Sequence, residues 1–436
     1  MNNSIVISKR SIANVYFLIF LLCVLLLNFN FEFLPQNIFI LLIFISAVIA
    51  VVLNRKIDKV IMYLWVFFGV INIFSGMYAQ IIYNISFYKS WAVQMFAFPL
   101  IMQFVLNCVY ILGIKKILQY IKKVFLFQMY IINPIVVILM LSSDFIIHLN
   151  TGGNLIVELM HMLNANIGVL YEYGMSRGYL AYFSIGLYLL SYSLLNTKQK
   201  KIFAIYLVVF SIMLGAKAPF IGLLVVLFFL NIRKYKLQSF YKITFTYLIV
   251  FLIGALFYKY FDIINFAFMA DGRYIFPVFI YSDFWSHFFG VGMGNYSIAA
   301  FKEVYSFDID LVSPLYLSSV FANDMENLAK VYGIEFNGNL DILYPIAESD
   351  LLFFSVQLGS LFTIILIYFI FAIFVKNLML FFKHNNIWQH NYFILFIYLL
   401  ITSILQDYFN SIFSILFFSF LLVFYKLSKI SDKGNL

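Results

Sequence analysis

Near-continuous apolar stretches, most of them about the length needed to cross a lipid bilayer, recur from one end of this chain to the other. In hydrocarbon every backbone N–H and C=O must be satisfied internally, which leaves helices and closed barrels; runs of roughly 20 residues select helices. Reading the apolar runs in order places about twelve spans, near 12–27, 37–53, 60–82, 91–113, 124–141, 178–195, 202–214, 219–231, 243–261, 346–375, 392–405 and 412–427. With 64% hydrophobic and only 11% charged residues over 436 positions, the chain lacks the polar surface a water-soluble domain needs. The expected fold is one all-α, polytopic integral membrane domain over residues 1–436.

The seventh and eighth runs are short enough to be read as one segment, and charge decides between the two counts. With the N-terminus in the cytoplasm and spans alternating, 21 of the 28 Lys and Arg residues fall on the inner side, and every inner segment has at least two. The outer side then holds Lys89, Arg177, Lys217, Lys259, Arg273, Lys302 and Lys330. This is the positive-inside pattern, and merging the two runs breaks it downstream. Only Asp58 and Asp432 among the 19 acidic residues lie inside. Both termini are therefore expected in the cytoplasm, and the net charge of +9 is mostly inner anchoring that favours anionic lipid. A nucleic-acid partner is excluded by the same distribution.

At the start, Lys9 and Arg10 precede an apolar run from Val15 to Leu27, as in a secretory leader. No small-x-small site follows, and Cys23 is preceded by Phe20, Leu21 and Leu22 rather than a small residue, so a retained first helix is expected. Cys23 and Cys108 both lie in apolar runs and suggest neither a disulfide framework nor a thiolate metal site. Two outer segments exceed what a connector needs, a smaller one at 142–177 and a large one at 262–345. The large one is too polar to span and too apolar to be disordered, and short helices on the outer membrane surface are expected there.

The informative residues are the few charges at the outer edge of helices, where charge is costly. Arg177 opens the sixth span, where free N–H groups favour anions and a guanidinium fork suits phosphate; a snorkelling anchor is the plainer reading. Lys217 sits in the tight outer turn Leu214-Gly215-Ala216-Lys217-Ala218-Pro219. Arg273 follows Asp271 and Gly272, and alone it reads as half of a surface ion pair. Gly290-Val291-Gly292-Met293-Gly294-Asn295-Tyr296 lacks the strand and helix of a nucleotide loop and reads as a tight turn with close backbone approach. Glu348 and Asp350 stand at the start of the tenth span, placed either to act as a desolvated base or to complement the helix dipole. Asp308 with Asp310, and Glu158 with His161, are two-residue matches without a third ligand, so no metal is expected.

In this order, Arg177-Gly178, Ala216-Lys217-Ala218-Pro219, Arg273, the glycine-rich run, Glu348-Ser349-Asp350-Leu351-Leu352 and Gln357-Leu358-Gly359-Ser360-Leu361 resemble the bacterial O-antigen polymerase (Wzy-type) family, which is related to O-antigen ligases. The resemblance covers roughly residues 177–361. It implies a membrane glycosyltransferase (GT-C-like) architecture with a partly helical periplasmic loop, in the bacterial inner membrane. It implies joining of oligosaccharide repeat units carried on undecaprenyl diphosphate, with the lipid-linked donor and acceptor as partners, a place for a chain-length regulator protein, and no cofactor. On this reading Arg177, Lys217 and Arg273 stabilise the leaving diphosphate. Glu348 takes the acceptor hydroxyl's proton, with Asp350 as the second candidate, and Gly292 and Gly294 shape the loop. In the related ligases the run begins His-Asn where this chain has Glu348-Ser349, which favours the polymerase. An O-antigen ligase and a transporter or flippase of lipid-linked oligosaccharides stand as alternatives.

Overall fold

The computed structural model describes residues 2–26, 36–54, 57–83, 89–142, 177–214, 216–235, 289–290, 350–383, 386–405 and 412–432. The regular structure among them is entirely helical. In chain order the helices are α1 (Asn2–Leu26), α2 (Gln36–Asn54), α3 (Lys59–Tyr83), α4 (Lys89–Leu112), α5 (Ile114–Phe127), α6 (Asn133–Ser142), α7 (Arg177–Ser191), α8 (Thr197–Met213), α9 (Lys217–Tyr235), α10 (Asp350–Lys383), α11 (Ile387–Leu405) and α12 (Ile412–Asp432). A helix thus occurs at eleven of the expected span positions, and the ninth, 243–261, lies outside the described residues. Among the described residues, five stretches are long and apolar enough to cross a membrane, consistent with a multi-pass membrane protein: Lys9–Leu26, Ile114–Ile138, Gly359–Phe382, Ile387–Leu405 and Phe413–Ile430.

Two helices depart from the simple reading of their apolar runs. Between α5 and α6 the chain does not break but widens into a π-helical turn at Gln128–Ile132. Pro134 follows after Asn133. It has no N–H to donate, and its ring crowds the carbonyl one turn back, so the ladder is displaced there. The turn brings polar groups together: Gln128 Nε2 donates to Asn133 Oδ1 at 2.9 Å and to Ser184 Oγ of α7 at 3.3 Å. All three residues are fully buried.

The expected tenth span, 346–375, is not one continuous helix. Gly359 takes φ 83° and ψ 167°, which breaks α10 into an approach segment and a long apolar helix. Only glycine adopts that region readily. The apolar stretch of crossing length begins at Gly359, not upstream of Asp350. The seventh and eighth runs are separate helices, α8 and α9. Asn196 and Gln199 form a reciprocal capping box at the start of α8. The turn after α8 is closed by hydrogen bonds from Leu214 N to Phe210 O and from Ala216 N to Ser211 O.

The core is centred on α7, buried continuously from Leu180 to Ser191. It packs against α5, α8, α9, α11 and α12. Aromatic rings fill the seams. Tyr182 stacks on Tyr398 at 5.6 Å between centroids, and Phe183 lies 4.6 Å from Phe413. A second seam joins α1 and α4 through Phe17, Phe20 and Phe104. Beneath it Gln103 Nε2 donates to Asn107 Oδ1, and Asn107 Nδ2 donates to the Ala50 carbonyl of α2. Pairing these amides with one another and with backbone limits the cost of burying them.

Candidate functional site

The depth at which α7 and α9 begin is fixed by α11. Tyr398 of α11 stacks on Tyr182, five residues into α7. The same ring lies against Gly222, five residues into α9, where an added Cβ would come within 3.0 Å of it. The far ends of both helices meet the other end of α11: Tyr192, just after α7, stacks on His390, and Arg233 near the end of α9 contacts His390 Nδ1. Helices α7 and α9 therefore run parallel, and α11 runs against both. At about 1.5 Å per residue, each starts roughly 7 Å beyond the level of Tyr398. Their axes are about 8–10 Å apart where they pack.

Arg177 and Lys217 are thus the first residues of two neighbouring parallel helices whose N-termini open at one end of the bundle. The free N–H groups of both first turns point the same way, which makes that end attractive to an anion. Gly178, Ala216 and Ala218 are buried beside them. Small residues at these positions let the helix starts approach their neighbours closely.

Asp350 belongs to the same end. Gln389 Nε2 donates to Asn377 Oδ1 at 2.9 Å, and Phe381 packs on Phe393 at 4.4 Å, so α10 and α11 form an antiparallel hairpin. Counting back from Asn377 puts Gly359 about 27 Å away, near the level at which α11 ends. The segment opened by Asp350 lies beyond that break. Asp350 thus opens an approach segment, and the apolar stretch of crossing length starts at Gly359. Thr363 Oγ1 donates to the Gly359 carbonyl at 2.8 Å, which satisfies an acceptor exposed by the break. Glu348, Arg273, Gly292 and Gly294 lie outside the described residues, as do Asp271, Asp308, Asp310, Glu158 and His161.

The opposite end of the bundle gathers groups to which the sequence reading gave no site. Asp58 accepts a charge-assisted hydrogen bond from Lys426 Nζ, and its own N–H donates to Gln103 Oε1. Lys122 Nζ donates to the Leu194 carbonyl at 3.0 Å, and Asn386 Nδ2 to the Ser428 carbonyl at 3.3 Å. Lys200 lies over the Tyr192 ring at 4.4 Å. Burial holds its ammonium below the ordinary lysine range. The signal for this cluster was the run of basic residues on the loops counted as inner. Among the described residues, no group of three His, Cys, Asp or Glu side chains is placed to hold a metal ion. The chain matches no family model, no curated protein and no solved structure.

Proposed function

We propose that this chain is a membrane glycosyltransferase that joins undecaprenyl-diphosphate-linked oligosaccharide repeat units into O-antigen or a related surface polysaccharide. The observation that carries this reading is the common opening of α7 and α9, headed by Arg177 and Lys217, with the Asp350 segment of α10 at the same end. A lipid diphosphate enters from the bilayer edge and needs cations and oriented N–H groups at that depth. On this reading that end faces the periplasm, twelve spans leave both termini in the cytoplasm, and the fold is of the GT-C-like type. Arg273 and the glycine-rich run around Gly292 and Gly294 come over the diphosphate from the large loop. Glu348 accepts the proton of the acceptor hydroxyl as the glycosidic bond forms and the lipid diphosphate leaves.

The test is complementation of a polymerase-deficient strain that makes the cognate repeat unit. Arg177→Ala, Arg273→Ala and Glu348→Ala are expected to insert normally yet give lipopolysaccharide carrying a single repeat unit. Full-length ladders from all three variants would defeat the proposal. Loss of even the single-unit form when the chain is absent would point to the ligase. Movement of external lipid-linked units across proteoliposomes, without polymer, would point to a flippase.

A further inference from the structure

The π-helical turn at Gln128–Ile132 lies near the middle of the apolar stretch Ile114–Ile138, far from either end that water could reach. Gln128, Asn133 and, from α7, Ser184 meet there, each with 0% of its surface exposed. Their hydrogen bonds can be followed atom by atom. Gln128 Nε2 donates to Asn133 Oδ1 at 2.9 Å and to Ser184 Oγ at 3.3 Å. Ser184 Oγ donates to Asn133 Oδ1 at 3.2 Å, and Asn133 Nδ2 to Met129 Sδ at 3.5 Å. Among the described residues, Gln128 Oε1 has no partner. Turning that amide over does not remove the deficit. It would set two acceptor oxygens, Gln128 Oε1 and Asn133 Oδ1, against each other and strand the amide N–H groups instead.

The backbone of the same turn adds a second acceptor. The Asn133 N–H goes to the Gln128 carbonyl, and Pro134 has no N–H to give, so the helix ladder offers the Met129 carbonyl no donor. Both deficits are therefore of one sign: two amide oxygens in one turn need a donor. A metal cation is the poorer answer, because Asn133 Oδ1 and Ser184 Oγ already accept hydrogen bonds and leave no cage of free oxygens. We propose that the π turn holds one internal water molecule, which donates to Gln128 Oε1 and to the Met129 carbonyl. Buried water is held in this way by polar groups that otherwise go unpaired, and a water set into the ladder is an ordinary cause of a local break in a helix. Leaving an amide oxygen bare in hydrocarbon is the costly alternative. The water completes the polar joint between the π turn and α7, seven residues along that helix from Arg177.

The experiment is X-ray pulse radiolysis of the purified full chain in detergent, with oxidation at each methionine read by mass spectrometry. A bound water is split where it sits, and the hydroxyl radical attacks the nearest reactive side chain. Met129 is 4% exposed and Met102, on α4, is 5% exposed, so bulk radicals reach neither readily. Met129 is expected to oxidise at least tenfold faster than Met102, at a rate insensitive to a scavenger added to the bulk. Gln128→Leu is expected to bring Met129 down to the Met102 rate, and Gln128→Glu, which keeps a carbonyl oxygen, to preserve the difference. Equal rates at Met129 and Met102 in the wild-type chain would overturn the proposal, whether or not the variants fold. So would a Met129 rate that falls in proportion to the bulk scavenger, or one that Gln128→Leu leaves unchanged.

Discussion

The Tyr398 hydroxyl donates to the main-chain carbonyl of Tyr182 at 2.9 Å, while the two rings stack. That carbonyl lies inside α7, so one side chain of α11 adds a hydrogen bond to a helix that is buried continuously from Leu180 to Ser191. The Tyr182 hydroxyl in turn shares a 2.8 Å hydrogen bond with Ser414 of α12. Three helices are tied at one level, the level from which the starts of α7 and α9 are measured. Tyr398→Phe removes the hydroxyl and keeps the ring, and is expected to cost about 1 kcal/mol. Tyr398→Ala also opens a cavity and is expected to cost about 3–5 kcal/mol. Unfolding in detergent followed by circular dichroism checks the order of the two.

Gly186 gives a sharper test of packing at the same seam. A Cβ there would meet the Phe417 ring at 2.0, 2.3 and 2.5 Å, and Phe417 is fully buried. The ring has nowhere to go without moving α12. Gly186→Ala is expected to destabilise by about 1–3 kcal/mol. Gly222→Ala meets Tyr398 and Thr402 only at 3.0–3.2 Å and is expected to cost less. Gly186→Ala combined with Phe417→Leu is expected to recover part of the loss. Equal stability of the two glycine variants would contradict the packing described for α7 and α12.

Asp58 and Lys426 are separated by 368 residues and lie 14% and 24% exposed. Asp58 Oδ1 also accepts from Val60 N at 3.0 Å, opening α3. Lys426→Met leaves a half-buried carboxylate without its cation, and is expected to cost about 1–3 kcal/mol. The Asp58→Asn/Lys426→Met double variant removes the charge as well and is expected to be more stable than Lys426→Met alone. A thermal unfolding cycle over the four proteins measures the coupling. Additive losses would show that the pair contributes nothing.

Much of the helical layout was readable because most apolar runs approach crossing length and every segment counted as inner carries Lys or Arg. Alternation alone also placed Arg177 and Lys217 on one side. The break at Gly359 was not readable, because a lone glycine in an apolar run costs a helix only about 1 kcal/mol and is usually tolerated. Its unusual φ is set by tertiary packing, which leaves no local pattern. The pairing of Asp58 with Lys426, and the stack around His390, arise from contacts between distant segments and were invisible for the same reason. Of the candidate site, Arg177, Lys217 and Asp350 each open a helix, a position that the edges of the apolar runs made legible. Arg273, Glu348, Gly292 and Gly294 lie outside the described residues.

Gly359 is expected to be a functional position because of where it breaks α10. An alanine there must either hold a conformation that side chains rarely adopt, at about 1–3 kcal/mol, or let the helix straighten. Straightening changes the direction in which the Asp350 segment leaves the end of the bundle where α7 and α9 start. On the proposed function, Gly359→Ala is therefore expected to shorten or abolish polymer while the chain still inserts at wild-type levels. Alanine at Ser360, one residue on and inside the regular helix, is expected to leave polymer length unchanged.

The sidedness of the bundle is open to a direct chemical test. Cys23 and Cys108 are both buried, so the native chain is expected to resist a membrane-impermeant maleimide. Lys198 is exposed at the end that holds His390, and Lys217 opens α9 at the other. Lys198→Cys is expected to react only after the membrane is opened, and Lys217→Cys in intact spheroplasts. The distinction follows from α8 running along the bundle between them, and from the expectation that the basic loops stay on the inner side. Labelling of both positions from outside would mean that α8 does not cross. The cations heading α9 and those around His390 would then share one face, and the proposed lipid diphosphate would lack a separate outer site.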